Sequence, residues 1–424
     1  MTDFFTIISI FFKLWWLWLP PFLIVLSIEL WIKYLKAKAA KKIIWLLLEV
    51  EIPRIIEKTP KAMEQIFAGL HGTLSSIKFL DKYWKGKVQE WFSLEIVGLG
   101  GAMHFYIRTP EQFKNLVESQ IHSQYPEAEI SEVLDYANSL AEKSSSESYT
   151  IGGAELILEK DDFYPIRTYI SFEERQAERR IDPMASFLEI ISNLKPDENI
   201  FIQYLIAPIS EKEEKWKKCK EEGAAIINKL TGKKVETKKG FLESIFEGLG
   251  EFLGNLLGAI AVYPEWGEKK EEAKPSAVNL SPGGKLVVEA IENKISKLAF
   301  RVCIRFGYIA GKNVFNKANI AAVVGAFKQF NTVDLNAFKG NKKAGTTADQ
   351  PRIIPFIKNR REYIRKIAFI DRFLNRKMSK NKKDFVLNIE ELATIYHYPI
   401  IIVEAPAIQR VGTRKAEPPV GLPM

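Results

Sequence analysis

The stretch FRVCIRFGYIAGKNVF, residues 300–315, holds the spacing nearest to a phosphate-binding loop in this sequence. Such a loop needs four residues between its first glycine and the Gly-Lys pair, then Ser or Thr, because backbone amides wrap the phosphates and the hydroxyl holds magnesium. Here Tyr308, Ile309 and Ala310 alone separate Gly307 from Gly311, and Asn313 follows Lys312. The loop is one residue short and lacks its hydroxyl, so the pattern predicts a strand end, a turn and a helix. Gly283 and Gly284 precede Lys285 without the spaced first glycine.

Other reactive residue types are scattered. His71, His104, His122 and His397 form no i, i+4 pair of the kind that holds a metal, and no serine sits in a nucleophile elbow. They read as ordinary surface or core histidines. Glu49 and Glu51, two apart on a strand, could share one face as paired carboxylates, and a polar strand edge explains them equally well. Cys219 and Cys303 have no metal or redox spacing, which points to a reducing compartment. The residues therefore predict no catalytic, cofactor or metal site, and no enzyme.

Two rows remain. Arg361, Arg365, Arg372 and Arg376 recur at i, i+4, i+11 and i+15 on a basic helix expected over 352–377, beside an apolar stripe of Ile353, Ile357, Ile364, Ile367 and Leu374. Such guanidinium groups could follow a nucleic-acid backbone or anionic lipid, or form a solvated face with salt bridges. In KGFLESIFEGLGEFLGNLLGAIAVY, Gly250, Gly254 and Gly258 recur every fourth residue beside an acidic row of Glu243, Glu247 and Glu251. Small residues at that spacing permit a close helix-helix contact. A bilayer-surface helix would want basic rather than acidic residues, and a plainly packed helix or insertion is the third reading.

These groups need a folded frame. A hydrophobic content of 47% with 27% charged residues describes a folded protein, and the formal net charge is +9. Residues 14–32, LWWLWLPPFLIVLSIELWI, carry Glu29 as their sole charge and match the roughly 20 residues that cross a bilayer. One transmembrane helix is expected, with Pro20 and Pro21 bending or breaking it and Trp15, Trp16, Trp18 and Trp31 in the interfacial belts. A cleaved signal peptide competes, yet the chain opens with Asp3 rather than a basic cluster. Lys33, Lys36, Lys38, Lys41 and Lys42 follow the apolar run and Lys13 alone precedes it, which places the C-terminal part in the cytoplasm.

Beyond the anchor, apolar alternation and turn signals give strands separated by helices. Thr59, Pro60 and Gly72 mark the ends of one helix, a GLGG turn joins two strands, and Thr109 with Gln112 suggests a capping box. Asn388 and Glu391 suggest another. The expected class is α+β: the anchor, then antiparallel or mixed sheets with helices on one face, with ferredoxin-like subunits as one form. The expected units are an anchor with its basic segment at 1–42, an α+β unit at 43–210, a charged helix, glycine-rich helix and linker at 211–281, a second α+β unit at 282–400, and a proline-containing tail at 401–424.

Several stretches together carry a family resemblance: LEVEIPRIIEKTPKAMEQIFAGLHG, MHFYIRTPEQFKNLVESQIHSQYPEAEISEVLDY, DFVLNIEELATIYHYP and VEAPAIQRVGTRKAEPPVGLP. They resemble the membrane-anchored region, a domain of unknown function, ahead of the motor in bacterial type IV secretion and conjugative DNA-transfer ATPases. The resemblance covers most of residues 43–424, here without the ATPase domain. It implies a single-pass inner-membrane protein whose cytoplasmic body contacts or positions a separate transport ATPase, or associates with itself. The expected function is thus a non-catalytic secretion or conjugation component without cofactor. The alternative is a membrane-tethered module that binds and guides DNA through its positive charge.

Overall fold

The computed structural model describes residues 13–52, 58–75, 81, 83–146, 148–172, 182–232, 281–341, 343–347, 355–378 and 384–399. Helix α1 (Trp15–Ala40) is long and apolar enough to cross a membrane. It runs unbroken through Pro20 and Pro21. The glycine row at Gly250, Gly254 and Gly258, Ile353, and the expected tail all lie outside the described residues.

The first strands and helices follow the order β1 (Trp45–Glu51), α2 (Lys61–His71), β2 (Phe92–Leu99), β3 (Ala102–Pro110), α3 (Lys114–Gln124) and β4 (Glu129–Glu132). Their spatial order, β4-β1-β3-β2 with antiparallel neighbours, is the ferredoxin-like arrangement. After α4 (Tyr136–Ser145) the same order returns. Strands β5 (Tyr149–Leu158), β6 (Glu198–Pro208), β7 (Ala299–Gly311) and β8 (Phe338–Gly340) lie as β8-β5-β7-β6. Helix α5 (Ala185–Ser192) stands between β5 and β6, and α8 (Lys317–Lys328) between β7 and β8.

Both halves join edge to edge through β2 and β6, where Phe92 pairs with Ile206 and Leu99 with Asn199. The result, among the described residues, is one nine-stranded antiparallel sheet, because β9 (Phe385–Asn388) also pairs with β7. The boundary expected at 210 falls at the end of β6, a strand that binds both β2 and β7. In the second half the β2–β3 hairpin has no counterpart. Helices α6 (Glu214–Thr231) and α7 (Pro282–Ser296) occupy the link between β6 and β7 instead.

Alternation decides what each face carries. Ile200, Ile202, Tyr204 and Ile206 of β6 and Phe300, Val302, Ile304 and Phe306 of β7 join one apolar core with α2, α3, α5, α8 and α10 (Ile389–Ile395). The second face adds two helices to that arrangement: α4 and α9 (Pro355–Leu374) pack there around Phe201, Phe369 and Phe373. Glycine makes this close. Gly153 and Gly307 are directly paired, and a Cβ on Gly307 would lie 2.1 Å from the Phe201 ring. Gly307, first glycine of the near-phosphate-loop spacing, therefore sits inside a strand against an aromatic ring.

Three local expectations change. Thr59 does not cap α2 with its side chain; its carbonyl accepts from Ala62 while Pro60 stands at the cap. Thr109 and Gln112 form no capping box, because Gln112 donates to Glu90 and a short 3-10 turn, Glu111–Phe113, opens α3. In α9, Ile364 and Ile367 are half-exposed; Phe369 and Phe373 bury the helix instead. The Asn388–Glu391 box is formed in full.

Candidate functional site: a polar row beneath a basic helix

Each central strand carries a polar residue inside an apolar run, and cross-strand register brings these residues into line. Glu49 opposes Tyr106, Tyr106 opposes Glu95, Glu95 opposes Gln203, Gln203 opposes Arg305, and Arg305 opposes Glu155. The row thus crosses six strands on the face beneath α4 and α9. Glu95, Gln203, Arg305 and Glu155 are all buried. A buried charge is costly unless paired and hydrogen-bonded, so their partners determine what the row can do.

The C-terminal end of α9 supplies those partners. Arg305 donates to Glu155 at 2.9 Å and to the carbonyls of Arg372 and Lys377 at 2.8 Å each. Gln203 donates to the Phe373 carbonyl at 3.3 Å, and Arg376 to that of Leu374 at 3.0 Å. The Arg372, Phe373 and Leu374 carbonyls lie in the last turn, at the negative end of the helix dipole, so guanidinium groups suit them; those of Arg372 and Phe373 also accept from the Lys377 and Arg376 amides. The sheet captures the helix end through charge as well as through Phe201 and Phe373, whose rings stack at 3.8 Å.

Arg376 closes the site. It lies beyond α9 with φ 45, a left-handed conformation uncommon outside glycine. Its guanidinium spans both oxygens of Glu95, at 2.9 and 3.1 Å, and both of Asp135, at 2.6 and 2.8 Å. Tyr136 and Ser93 also donate to Glu95. Burial opposes the Arg376 charge, yet Glu95 holds its pKa well above the arginine range. Burial and Glu95 push the Tyr136 phenol far up, and burial with the nearby Arg376 brings Arg108 down to about 10.

The four arginines expected in one row therefore separate. Arg372 points inward, 2.9 Å from Glu155, and Arg376 is wholly buried. Arg365 donates to the Thr347 carbonyl, and Arg361 is exposed. Sequence reasoning missed Glu95, Gln203, Arg305 and Glu155, although a charged or amide residue inside each of FSLEIVGL, IFIQYLIAP, RVCIRFGYI and AELIL was a readable signal.

Elsewhere the reactive types are also engaged. His104 lies 2.7 Å from Glu49 and engages that carboxylate, while Glu51, two residues on along the same strand, feels the Glu49 charge and opposes Glu129 on β4. His397 is held between the Ala393 carbonyl and Asp182, each at 2.9 Å. Among the described residues no group of three His, Cys, Asp or Glu side chains could hold a metal. A cleft of about 410 Å³ contains Asp162, Lys215, Cys219 and Asp384. Lys215 bridges its carboxylates at 3.6 and 3.7 Å. Burial raises the Cys219 thiol to about 12, which suppresses thiolate chemistry.

The geometry is that of a structural clamp. Its guanidinium groups pair with carboxylates and helix carbonyls, and they tie α9 to both halves of the sheet. A comparison with curated proteins finds no match. Residues 47–410 match the family described as Domain of unknown function (DUF8128), and on that extent the chain belongs to this family.

Proposed function

We propose that the chain is a non-catalytic, membrane-anchored component of a type IV secretion or conjugation and pilus-like system. Its body contacts and positions a separate transport ATPase at the inner membrane. The observation that carries this reading is the junction of α1 with the sheet: a helix long enough to span a bilayer enters β1 through Lys41 and Lys42. Lysines on that flank favour a cytoplasmic body. Confinement to the membrane plane raises the effective concentration of the body for partners held at the same surface. The inward-turned charges support a scaffold role rather than a reactive one.

The rival reading is a DNA-guiding module. Arg372 and Arg376 are engaged with Glu155, Glu95 and Asp135, which leaves Arg361 and Arg365 of the proposed phosphate row nearer solvent. Isolation of the cross-linked full chain from its native membrane separates the readings. Co-isolation of a phosphate-loop ATPase that resists added salt supports the first. Absence of any such ATPase, with DNA binding that falls steeply as salt rises, overturns it.

A further inference from the structure

The loop before β2 carries a second feature that points to the bilayer. Gly86 has φ +66, and a Cβ there would sit 2.5 Å from the Leu35 carbonyl group and 2.8 Å from the Lys36 nitrogen. The loop backbone therefore lies directly against α1. Its height is fixed by that contact. The apolar run ends at Ile32, and Leu35 lies three residues further, which is about 4.5 Å along a helix rising 1.5 Å per residue. That is the headgroup level of a bilayer spanned by α1.

The residues displayed at this level suit an interface. Trp84 is 78% exposed. Lys87, three residues further on, is exposed as well. Asp81 holds Lys85 at 2.8 Å, which shapes the loop and neutralises that lysine. Tryptophan favours the headgroup zone because its ring is amphipathic, and lysines near the surface gain from anionic lipid. The loop is also tied inward: Trp91 packs on Trp45 with ring centres 5.0 Å apart and donates to the Arg376 carbonyl at 3.1 Å.

We infer that residues 83–87 form a membrane-seated foot, in which Trp84 enters the headgroup layer of an anionic bilayer and Lys87 meets its phosphates. The foot gives the body a second contact with the membrane and fixes its tilt about α1. This inference rests on α1 spanning the bilayer.

The test uses the full chain in vesicles of phosphatidylglycerol and phosphatidylcholine, with a bimane label at single introduced cysteines. Cys219 and Cys303 are buried and leave these sites selective. Val25→Cys reports the span, Trp84→Cys the foot, and Asp197→Cys the exposed far end of β6. With headgroup nitroxide lipids, the label at 84 should fall to roughly half its intensity or less, while that at 197 stays unchanged. Acyl-chain nitroxides should quench the label at 25. Quenching at 25 but none at 84 overturns the foot and leaves the span standing; no quenching at either overturns both. Quenching at 84 that is indifferent to removal of phosphatidylglycerol and to Lys87→Glu overturns the choice of anionic lipid.

Discussion

Arg376 grips Glu95 through two hydrogen bonds of 2.9 and 3.1 Å, joining the segment after α9 to a strand 281 residues earlier in the chain, with both side chains fully buried. Because β2 also carries the seam between the two halves of the sheet, this pair links α9 to the centre of the molecule.

Removal of one member should cost far more than the pair contributes. Arg376→Met leaves Glu95 charged and buried, an expected loss of about 3–5 kcal/mol. Glu95→Gln alone should also destabilise, and a double-mutant cycle should show a coupling of about 2 kcal/mol. Unfolding of the full chain in detergent, followed by near-ultraviolet circular dichroism, measures both.

The arginines of α9 should divide by direction. Arg372 touches the buried Glu155 and donates to the Ala344 carbonyl at 2.9 Å, so Arg372→Ala should cost about 1–3 kcal/mol. Arg361 is exposed, and Arg361→Ala should stay within about 0.5 kcal/mol of the parent. Equal losses at both positions in the same unfolding assay would contradict the inward placement of Arg372.

At the end of β9, Glu391 is shared. It accepts from the Asn388 and Ile166 amides at 2.9 Å each and from the wholly buried Lys294 at 3.1 Å. Burial raises its pKa against the pull of Lys294. Asn388→Ala should remove only the cap, about 1 kcal/mol, whereas Glu391→Ala strands the lysine and should cost about 3–5 kcal/mol. A thermal-shift comparison should rank them in that order.

Glu51 provides a pH test. Burial, followed by Glu49 and Glu129, raises its folded-state pKa above the ordinary glutamate value of 4.5. Its ionised form therefore weakens the fold above the raised value, and this penalty disappears as pH falls below the ordinary one. Glu51→Gln should be more stable than the parent at pH 7, with the difference vanishing below about pH 4.5. A difference independent of pH would contradict the assignment.

The elements were legible wherever local signals were strong. Apolar runs announced β6 and β7, GLGG announced the β2–β3 turn, and Asn388 with Glu391 announced the start of α10. Caps at Thr59 and Thr109 misled, because Pro60 and a 3-10 turn satisfied those helix ends without side chains. The polar row was hidden for a different reason. Its members come from six strands, and only pairing register brings Glu49, Glu95 and Glu155 into line. A helical projection likewise treated Arg372 and Arg376 as surface groups, since it contains no information about carboxylates on a distant strand.

The central claim is a scaffold held by α1 with its body on the cytoplasmic side. Labelling of Asp197→Cys by a membrane-impermeant maleimide in intact spheroplasts tests it most directly. The account predicts no labelling until the membrane is lysed, then labelling to completion. Full labelling of intact spheroplasts would place the body outside and contradict any contact with a cytoplasmic motor.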